Sequence, residues 1–210
     1  MTEELVLYTN PQSRGRIARW MLEEIGQPYR TEIVGYGAPM KGGYREINPM
    51  GKVPALTHGD VVVTECAAIC AYLADAFPQA GLAPEPASRL RAPYYRWMFF
   101  AAGPLEAAVT NKALGVSVPP EREAMVGYGN FGLVMDALEK AVGTGSHVLG
   151  ERFSAADVYL GSQIIWGLQF GSIERRPAFE AYAGRIADRP AALRARAIDD
   201  DLVARQQAQA

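Results

Sequence analysis

The spacing of apolar residues predicts a mixed α/β first part of the chain. Short β-leaning runs occur in "ELVLYTN", "YRTEIVGY" and "VPALTHGDVVVTE", and the last of these reads as two strands about a tight "HGD" turn. Between these runs, "PQSRGRIARWMLEEIG" has apolar positions at helical spacing, and Gly26 is a suitable stop. "CAAICAYLADAF" predicts a further helix that ends before Pro78. Residues 1–78 are therefore predicted as βαβ, an irregular helical turn, and then ββα.

The rest of the chain is predicted to be helical. Residues 79–86 are rich in Pro, Ala and Gly, which is typical of a linker. Residues 87–210 contain no convincing strand pattern. They predict a long helix kinked by prolines, a second helix that starts at Pro120, a mostly apolar third helix, and two shorter polar-faced helices. The third helix has a strong start signal, in which Ser154 is the N-cap of a capping box with Asp157.

Composition excludes several classes of function. The 210 residues are 49% hydrophobic and carry a formal net charge of −2, so nucleic acid and anionic membranes are not expected partners. No apolar run approaches the ~20 residues of a membrane span, and the N-terminus lacks the basic region of a signal peptide. The two cysteines, four residues apart, form no disulfide framework, and the two histidines form no zinc spacing with them. A reduced, cytoplasmic setting without a metal is expected.

The junction between Val53 and Cys66 holds the most informative polar residues. Pro54 cannot donate to a β-ladder, so the strand edge at Val53 is not expected to pair in the ordinary way. A cis bond before Pro54 would turn the backbone of Val53 toward an extended, peptide-like ligand, although an ordinary strand-starting proline is the alternative. Glu65 and Cys66 stand where strand gives way to helix. The helix N-terminus suits a carboxylate and Glu65 suits an ammonium, unless Glu65 merely favours the first helical turn.

The motifs "GKVPAL", "TECAAICAYL" and "FSAADVYL", in this order, resemble the glutathione transferase family over nearly the whole chain. The resemblance implies an α/β N-terminal thioredoxin-like domain, an all-α C-terminal domain, a cytosolic homodimer, and glutathione as co-substrate. It assigns the cysteinyl backbone of glutathione to Val53 and Pro54. It assigns the γ-glutamyl group to Glu65 and Cys66. Cys66 stands where the family usually has serine, and a thiol is the weaker hydrogen-bonding group.

The family activates the glutathione thiol with a Tyr, Ser or Cys between the first strand and the first helix. Here this region is "YTNPQSRGR". The pattern of Ser13, Arg14, Trp20, Glu23 and Glu24 is similar to that of a fungal and bacterial branch of the family. Ser13 is the favoured activating residue, and Gln12 is expected to contact glutathione. Thr9, Asn10 and Arg14 remain alternatives for activation, and the alternative role for Ser13 is that of N-cap of the first helix. The segment contains no cysteine, which argues against the cysteine-type members.

In this family the second substrate lies between the domains, against the first helix of the C-terminal half. Tyr95, Phe99 and Phe100 are the candidate wall residues there and predict a hydrophobic substrate. An aromatic stripe at helical spacing is also typical of a core or a dimer interface. Lys41 and Lys52 flank the loop that contains Val53 and Pro54, here called the proline loop. They are candidates for binding the glycine carboxylate of glutathione, or they are surface lysines without a role.

The expected function is conjugation of the glutathione thiolate to hydrophobic electrophiles, as in detoxification. A glutathione-dependent isomerase is an alternative, although "PQSRGR" lacks the "S-S-C-x-W-R" type motif of the maleylacetoacetate isomerase branch. A non-catalytic module with a glutathione fold, used for protein contacts or ligand storage, is a third interpretation.

Overall fold

A computed structural model describes residues 3–37 and 42–208 of the chain. Its internal contacts divide it into two compact units, Met1–Leu82 together with Arg189–Ala210, and Ala83–Asp188. The predicted domain limits at residues 78 and 87 stay a prediction. The contacts group the final segment of the chain with the first unit and not with the helical one.

The first unit is built on a four-stranded sheet of order β2–β1–β3–β4. The first two strands are parallel, and the other neighbouring pairs are antiparallel. This thioredoxin-like arrangement confirms the predicted βαβ and ββα halves, with a short 3₁₀ turn between them. The elements are β1 (Leu5–Thr9), α1 (Gly15–Ile25), β2 (Arg30–Ile33), the 3₁₀ turn (Gly43–Glu46), β3 (Ala55–His58), β4 (Val61–Thr64), α2 (Cys66–Ala76) and a second 3₁₀ turn (Pro78–Ala80).

Helix α1 lies against the sheet through the apolar face that its sequence predicts. Ile17, Met21 and Leu22 are almost completely buried, as are Leu7 in β1 and Leu56 in β3. The helix ends as predicted at Gly26, whose φ of 67° lies in the left-handed region that glycine adopts without a steric cost.

The second unit is helical, which confirms the predicted class of the C-terminal half. Its elements are α3 (Arg91–Phe100), a π-helical turn (Ala101–Leu105), α4 (Glu106–Ala113), a 3₁₀ helix (Pro120–Met125), α5 (Phe131–Val142), α6 (Ala155–Phe170) and α7 (Pro177–Ala187). Helix α6 is the mostly buried one, as its apolar sequence predicts.

Two local predictions for the second unit were wrong. The helix predicted from Pro120 is interrupted, because Gly127 and Gly129 follow the 3₁₀ helix. A new helix, α5, then begins with Asn130 as its N-cap. The Asn130 side chain accepts the N–H of Leu133 at 3.0 Å. Pro93 does not kink its helix, because it lies in the first turn of α3. Backbone N–H groups in the first turn have no partner within the helix, so the lack of an N–H in proline costs no hydrogen bond there.

The capping box at the start of α6 is confirmed. The Asp157 carboxylate accepts the backbone N–H of Ser154 at 2.9 Å and that of Val148 at 2.8 Å, and the Tyr182 hydroxyl donates to it at 2.8 Å. Burial raises the pKa of Asp157 above its usual value, against the opposing effect of these donors. This carboxylate therefore joins three segments of the second unit.

The last helix, α8 (Pro190–Ala208), has nineteen residues. It lies on α1 within the first unit. Asp199 accepts a hydrogen bond from Arg19 Nε at 2.9 Å, and both side chains are almost fully buried. The contact is formed partly by charged groups, so the apolar periodicity of α8 gave no sign of it.

Candidate functional site

The register of the sheet brings the three predicted site segments to one end of it. Ala55 in β3 lies beside Tyr8 of β1 and beside Thr64 of β4. Because β3 is antiparallel to both neighbours, the residues after β1, before β3 and after β4 leave the sheet at the same edge. The β1–α1 loop, the Val53–Pro54 segment and the Glu65–Cys66 segment therefore meet at this edge.

The proline loop is fixed from the side of Lys52. The Val53–Pro54 peptide bond is cis, as the sequence predicts. The carbonyl of Lys52 accepts hydrogen bonds from the Tyr44 hydroxyl and from Asn48 Nδ2, each at 2.7 Å. Burial raises the pKa of Tyr44 to about 12, so its phenol remains a donor at neutral pH. The Lys52 side chain itself is exposed.

Val53 lies outside the ladder of β3, which begins at Ala55. It is half-buried, and Pro54 is buried. Within residues 3–37 and 42–208, neither the N–H nor the carbonyl of Val53 has a hydrogen-bond partner. The peptide edge at Val53 is thus available to an extended ligand.

Glu65 holds a backbone conformation that non-glycine residues rarely adopt. Its φ is 65° and its ψ is 118°, and its side chain is exposed. Residues in such conformations cost on the order of 1–3 kcal/mol and are concentrated at functional sites. Cys66 follows as the first residue of α2, and no side chain in the described part of the chain caps the N–H groups at this helix start. An acidic side chain and a set of free donors therefore lie side by side.

The Cys66 thiol joins the starts of the two helices, because its Sγ lies 3.6 Å from the carbonyl oxygen of Arg14. Both cysteines are free and buried. A hydrogen bond to Cys66, followed by burial, raises the pKa of Cys70 well above its usual value. Cys70 is therefore a packing residue, and only Cys66 borders the site.

The β1–α1 loop is organised around Asn10 and Ser13. The Ser13 hydroxyl donates to the Asn10 carbonyl at 2.7 Å and accepts the N–H of Gly15 at 2.9 Å. The Asn10 side chain accepts the N–H of Gln12 and donates to the carbonyl of Val34. Ser13 therefore closes the turn before Arg14, which is the N-cap of α1, and its single hydroxyl proton is engaged inside the protein.

Gly15 has no room for a side chain. A Cβ at this position would lie 1.7 Å from Oγ1 of the buried Thr9. Thr9 is thus closed off beneath the start of α1, which makes it a packing residue.

The aromatic residues of α3 divide between the two sides of the helix. Tyr94 and Trp97 are buried, whereas Tyr95 is 45% and Phe99 is 72% exposed. Phe100 is half-buried and makes an edge-to-face contact with Trp97, with ring centroids 5.3 Å apart. Two of the three predicted wall residues of the second-substrate site are therefore surface side chains of the second unit.

The predicted glutathione residues that meet at the sheet edge are Ser13, Val53, Pro54, Glu65 and Cys66. Lys52 adjoins them. The Gln12 side chain is exposed, and its carbonyl accepts a hydrogen bond from the Tyr36 hydroxyl at 3.0 Å. Lys41 lies outside the described residues.

Sequence reasoning missed the supports of this site. Tyr44 and Asn48 hold the proline loop, and Asn10 holds the β1–α1 loop. The only sequence signal was weak, since Asn10 and Asn48 each stand directly before a proline, a pair typical of turns.

No group of three or more His, Cys, Asp and Glu side chains within residues 3–37 and 42–208 is arranged to hold a metal ion. Among the described helices, none combines the length and apolar character that a membrane crossing requires.

Comparison with known proteins agrees with this geometry. A family model described as "Glutathione S-transferase, N-terminal domain" matches residues 14–76. Glutathione S-transferase Z1 of Arabidopsis thaliana is 27% identical over 183 residues, covering 83% of this chain and 82% of the relative.

Solved structures match over nearly the full length. A glutathione transferase from Methylococcus capsulatus is 28% identical with a TM-score of 0.76, covering 93% of this chain and 98% of that chain. A sphingomonad glutathione S-transferase complexed with glutathione is 29% identical with a TM-score of 0.73, covering 93% of this chain and 98% of that chain. Together with the proline loop, the glutamate at the start of α2 and the sheet topology, these matches support a relationship of the chain to the glutathione S-transferase family.

Proposed function

We propose that the chain binds glutathione at the edge of the sheet and transfers its thiolate to hydrophobic electrophiles. The observation that carries the proposal is the meeting of three features at this edge. They are the unpaired peptide at Val53, the acid and free helix start at Glu65 and Cys66, and the turn at Ser13. A glutathione-bound structure among the similar proteins supports the choice of ligand.

Each part of glutathione has a matching group at this edge. The backbone N–H and carbonyl of Val53 would form hydrogen bonds with the carbonyl and amide N–H of the cysteinyl residue, as between neighbouring strands. The Glu65 carboxylate would take the α-ammonium, and the first N–H groups of α2 would take the α-carboxylate of the γ-glutamyl group. Lys52, and Lys41 outside the described residues, are the candidates for the glycine carboxylate.

Ser13 is the proposed activating residue. Lowering a thiol pKa from ~8.5 by about 2 units requires ~2.7 kcal/mol. One hydrogen bond to a charged group supplies roughly 1.5–3 kcal/mol, and a helix N-terminus adds ~0.3–1 kcal/mol. To donate a hydrogen bond to the thiolate, the Ser13 hydroxyl must rotate its proton away from the Asn10 carbonyl. Its oxygen can still accept the hydrogen bond from the N–H of Gly15.

The second substrate is proposed to be hydrophobic, with Tyr95, Phe99 and Phe100 as contact residues. The exposure of Tyr95 and Phe99 supports this proposal, because surface aromatics of this size are available to an apolar partner. A homodimer in the cytoplasm and a role in detoxification belong to the same proposal.

One observation favours a second candidate, a glutathione-binding module without turnover. The only proton of the Ser13 hydroxyl is donated to Asn10, at the short distance of 2.7 Å. If this bond persists when glutathione is bound, the thiol receives no donor from Ser13.

The experiment that tests both candidates follows the ultraviolet absorbance of the glutathione thiolate against pH in the bound state. The proposal expects retention on immobilised glutathione and a thiol that ionises below its solution pKa. It also expects Ser13→Ala to raise that pKa by about a unit or more and to lower turnover of a model electrophile roughly tenfold to a hundredfold. Binding without any lowering of the thiol pKa would favour the module without turnover.

A further inference from the structure

The β1–α1 loop is anchored through its backbone carbonyls. The carbonyl of Asn10 accepts the Ser13 hydroxyl, and that of Gln12 accepts the Tyr36 hydroxyl. The carbonyl of Pro11 accepts Nε of Arg16 at 2.5 Å. Among these three donors only the Arg16 guanidinium is charged, and charge-assisted hydrogen bonds are the stronger kind.

The Arg16 bond fixes one whole peptide plane. In a trans peptide the carbonyl oxygen and the N–H of the next residue point in opposite directions. The Pro11 oxygen is held by Arg16, and the N–H of Gln12 is held by the Asn10 side chain at 2.9 Å. The plane between Pro11 and Gln12 is thus fixed at both ends, directly before Ser13.

Arg16 is held in turn by the C-terminal helix. Its Nη1 lies 2.8 Å from Oδ1 of Asp200 in α8, and the side chain of Arg16 is only 26% exposed. The neighbouring Asp199 is bound to the buried Arg19 one turn further along α1, so α8 has a fixed register on α1. The chain of contacts runs from Asp200 through Arg16 to the Pro11 carbonyl, and all of it lies in the first unit.

We propose that Arg16 is a positioning residue for thiol activation, through which Asp200 of the C-terminal helix holds the loop that carries Ser13. This inference rests on the proposed function. Arg16 does not touch the thiol in this account. It keeps the Pro11–Gln12 plane, and hence the donors of the helix start, in the orientation that a thiolate needs, since small displacements of such groups weaken catalysis.

The test combines a titration of bound glutathione with amide hydrogen exchange of the ligand-free full chain. Arg16→Ala is expected to raise the pH midpoint of thiolate formation by about half a unit and to lower turnover roughly threefold to tenfold, with the glutathione Kd within about twofold of wild type. Amide exchange at Gln12 and Ser13 should become faster. Arg16→Lys, which keeps a charged donor, should restore part of the midpoint.

A double-mutant cycle assigns the effect of Asp200. Asp200→Asn should shift the midpoint in the same direction but less, and it should add almost nothing in the Arg16→Ala background, because Asp200 acts through Arg16. Asp201→Asn is the matched control, since Asp201 lies next to it in α8 but pairs with Arg205. The control should behave as wild type.

The inference is overturned if glutathione bound to Arg16→Ala ionises with the same pH midpoint as glutathione bound to wild type. This holds even if the amides of the β1–α1 loop exchange faster, because the bond from Arg16 to Pro11 would then contribute only to the fold. A wild-type chain that binds no glutathione refutes the proposed function itself. That failure is recognised before any variant is compared.

Discussion

Glu65 shows at the scale of one residue how a strained backbone supports a site. Its positive φ places the carboxylate at the point where β4 ends and the free N–H groups of α2 begin. A helix start in the ordinary extended conformation would have the donors but would direct the side chain elsewhere. The strain is thus tied to the proposed contact with the ligand ammonium.

We expect Glu65→Gly to stabilise the fold and to weaken glutathione binding at the same time. Glycine adopts a positive φ without steric cost, so the free energy of unfolding should rise by about 1 kcal/mol, while the carboxylate is lost. Chemical denaturation and glutathione titration of the same variant check the two effects. Glu46→Gly, in the 3₁₀ turn before the proline loop, has no positive φ to relieve and should not stabilise. A Glu65→Gly variant less stable than wild type would contradict the strain at this residue.

The site residues that could be predicted from the sequence are those whose role follows from their immediate neighbours in the chain. Pro54 is visible because proline is unusual in a strand, and Glu65 because an acid precedes a helical pattern. The clamp of Tyr44 and Asn48 on Lys52, and the bond from Arg16 to the Pro11 carbonyl, depend on which backbone atoms the fold brings near. No spacing in the sequence encodes those contacts.

At the level of the secondary-structure elements, a helix start could be predicted where a side chain caps its own helix. It was harder to predict helix boundaries and packing that depend on tertiary contacts. Ser154 and Asp157 are three residues apart, so the capping box of α6 could be predicted from the sequence alone. The break before α5 was missed because the helical pattern continues through two glycines. The packing of α8 on α1 was missed because charged residues form part of this contact.

Asp157 should make the second unit sensitive to pH in a defined direction. Because burial raises its pKa in the folded state, the folded protein binds more protons than the unfolded chain just above the ordinary pKa of aspartate, ~3.9. The stabilisation from this protonation is fully present below that value and is lost as pH rises through the folded pKa.

Asp157→Asn should therefore lower the free energy of unfolding by about 1–3 kcal/mol, because an amide nitrogen cannot accept the N–H of Ser154. The difference from wild type should shrink as pH rises through the folded pKa. Denaturation at several pH values measures it, with the exposed Asp188→Asn as control. A difference that grows with pH over this window would mean that the pKa is lowered by its donors instead.

At the scale of the whole molecule, the family relationship suggests a two-fold dimer. Exposed side chains of α3, including the largely exposed Phe99, provide apolar surface in the second unit. We expect light scattering to give twice the chain mass of 22.8 kDa at micromolar concentration. A single-chain mass under these conditions would contradict the dimer without affecting the assignment of the glutathione site.

The proposed function requires that glutathione binds at the edge of the sheet with its ammonium on Glu65. Calorimetric titration of glutathione into the full chain measures this binding, with wild type, Glu65→Gln and the exposed turn variant Asp60→Asn compared side by side. We expect binding to wild type, an unchanged affinity for Asp60→Asn, and a loss of more than about 1 kcal/mol for Glu65→Gln, because the ligand ammonium is left without its counter-charge. An affinity of Glu65→Gln equal to that of wild type would contradict the proposed site.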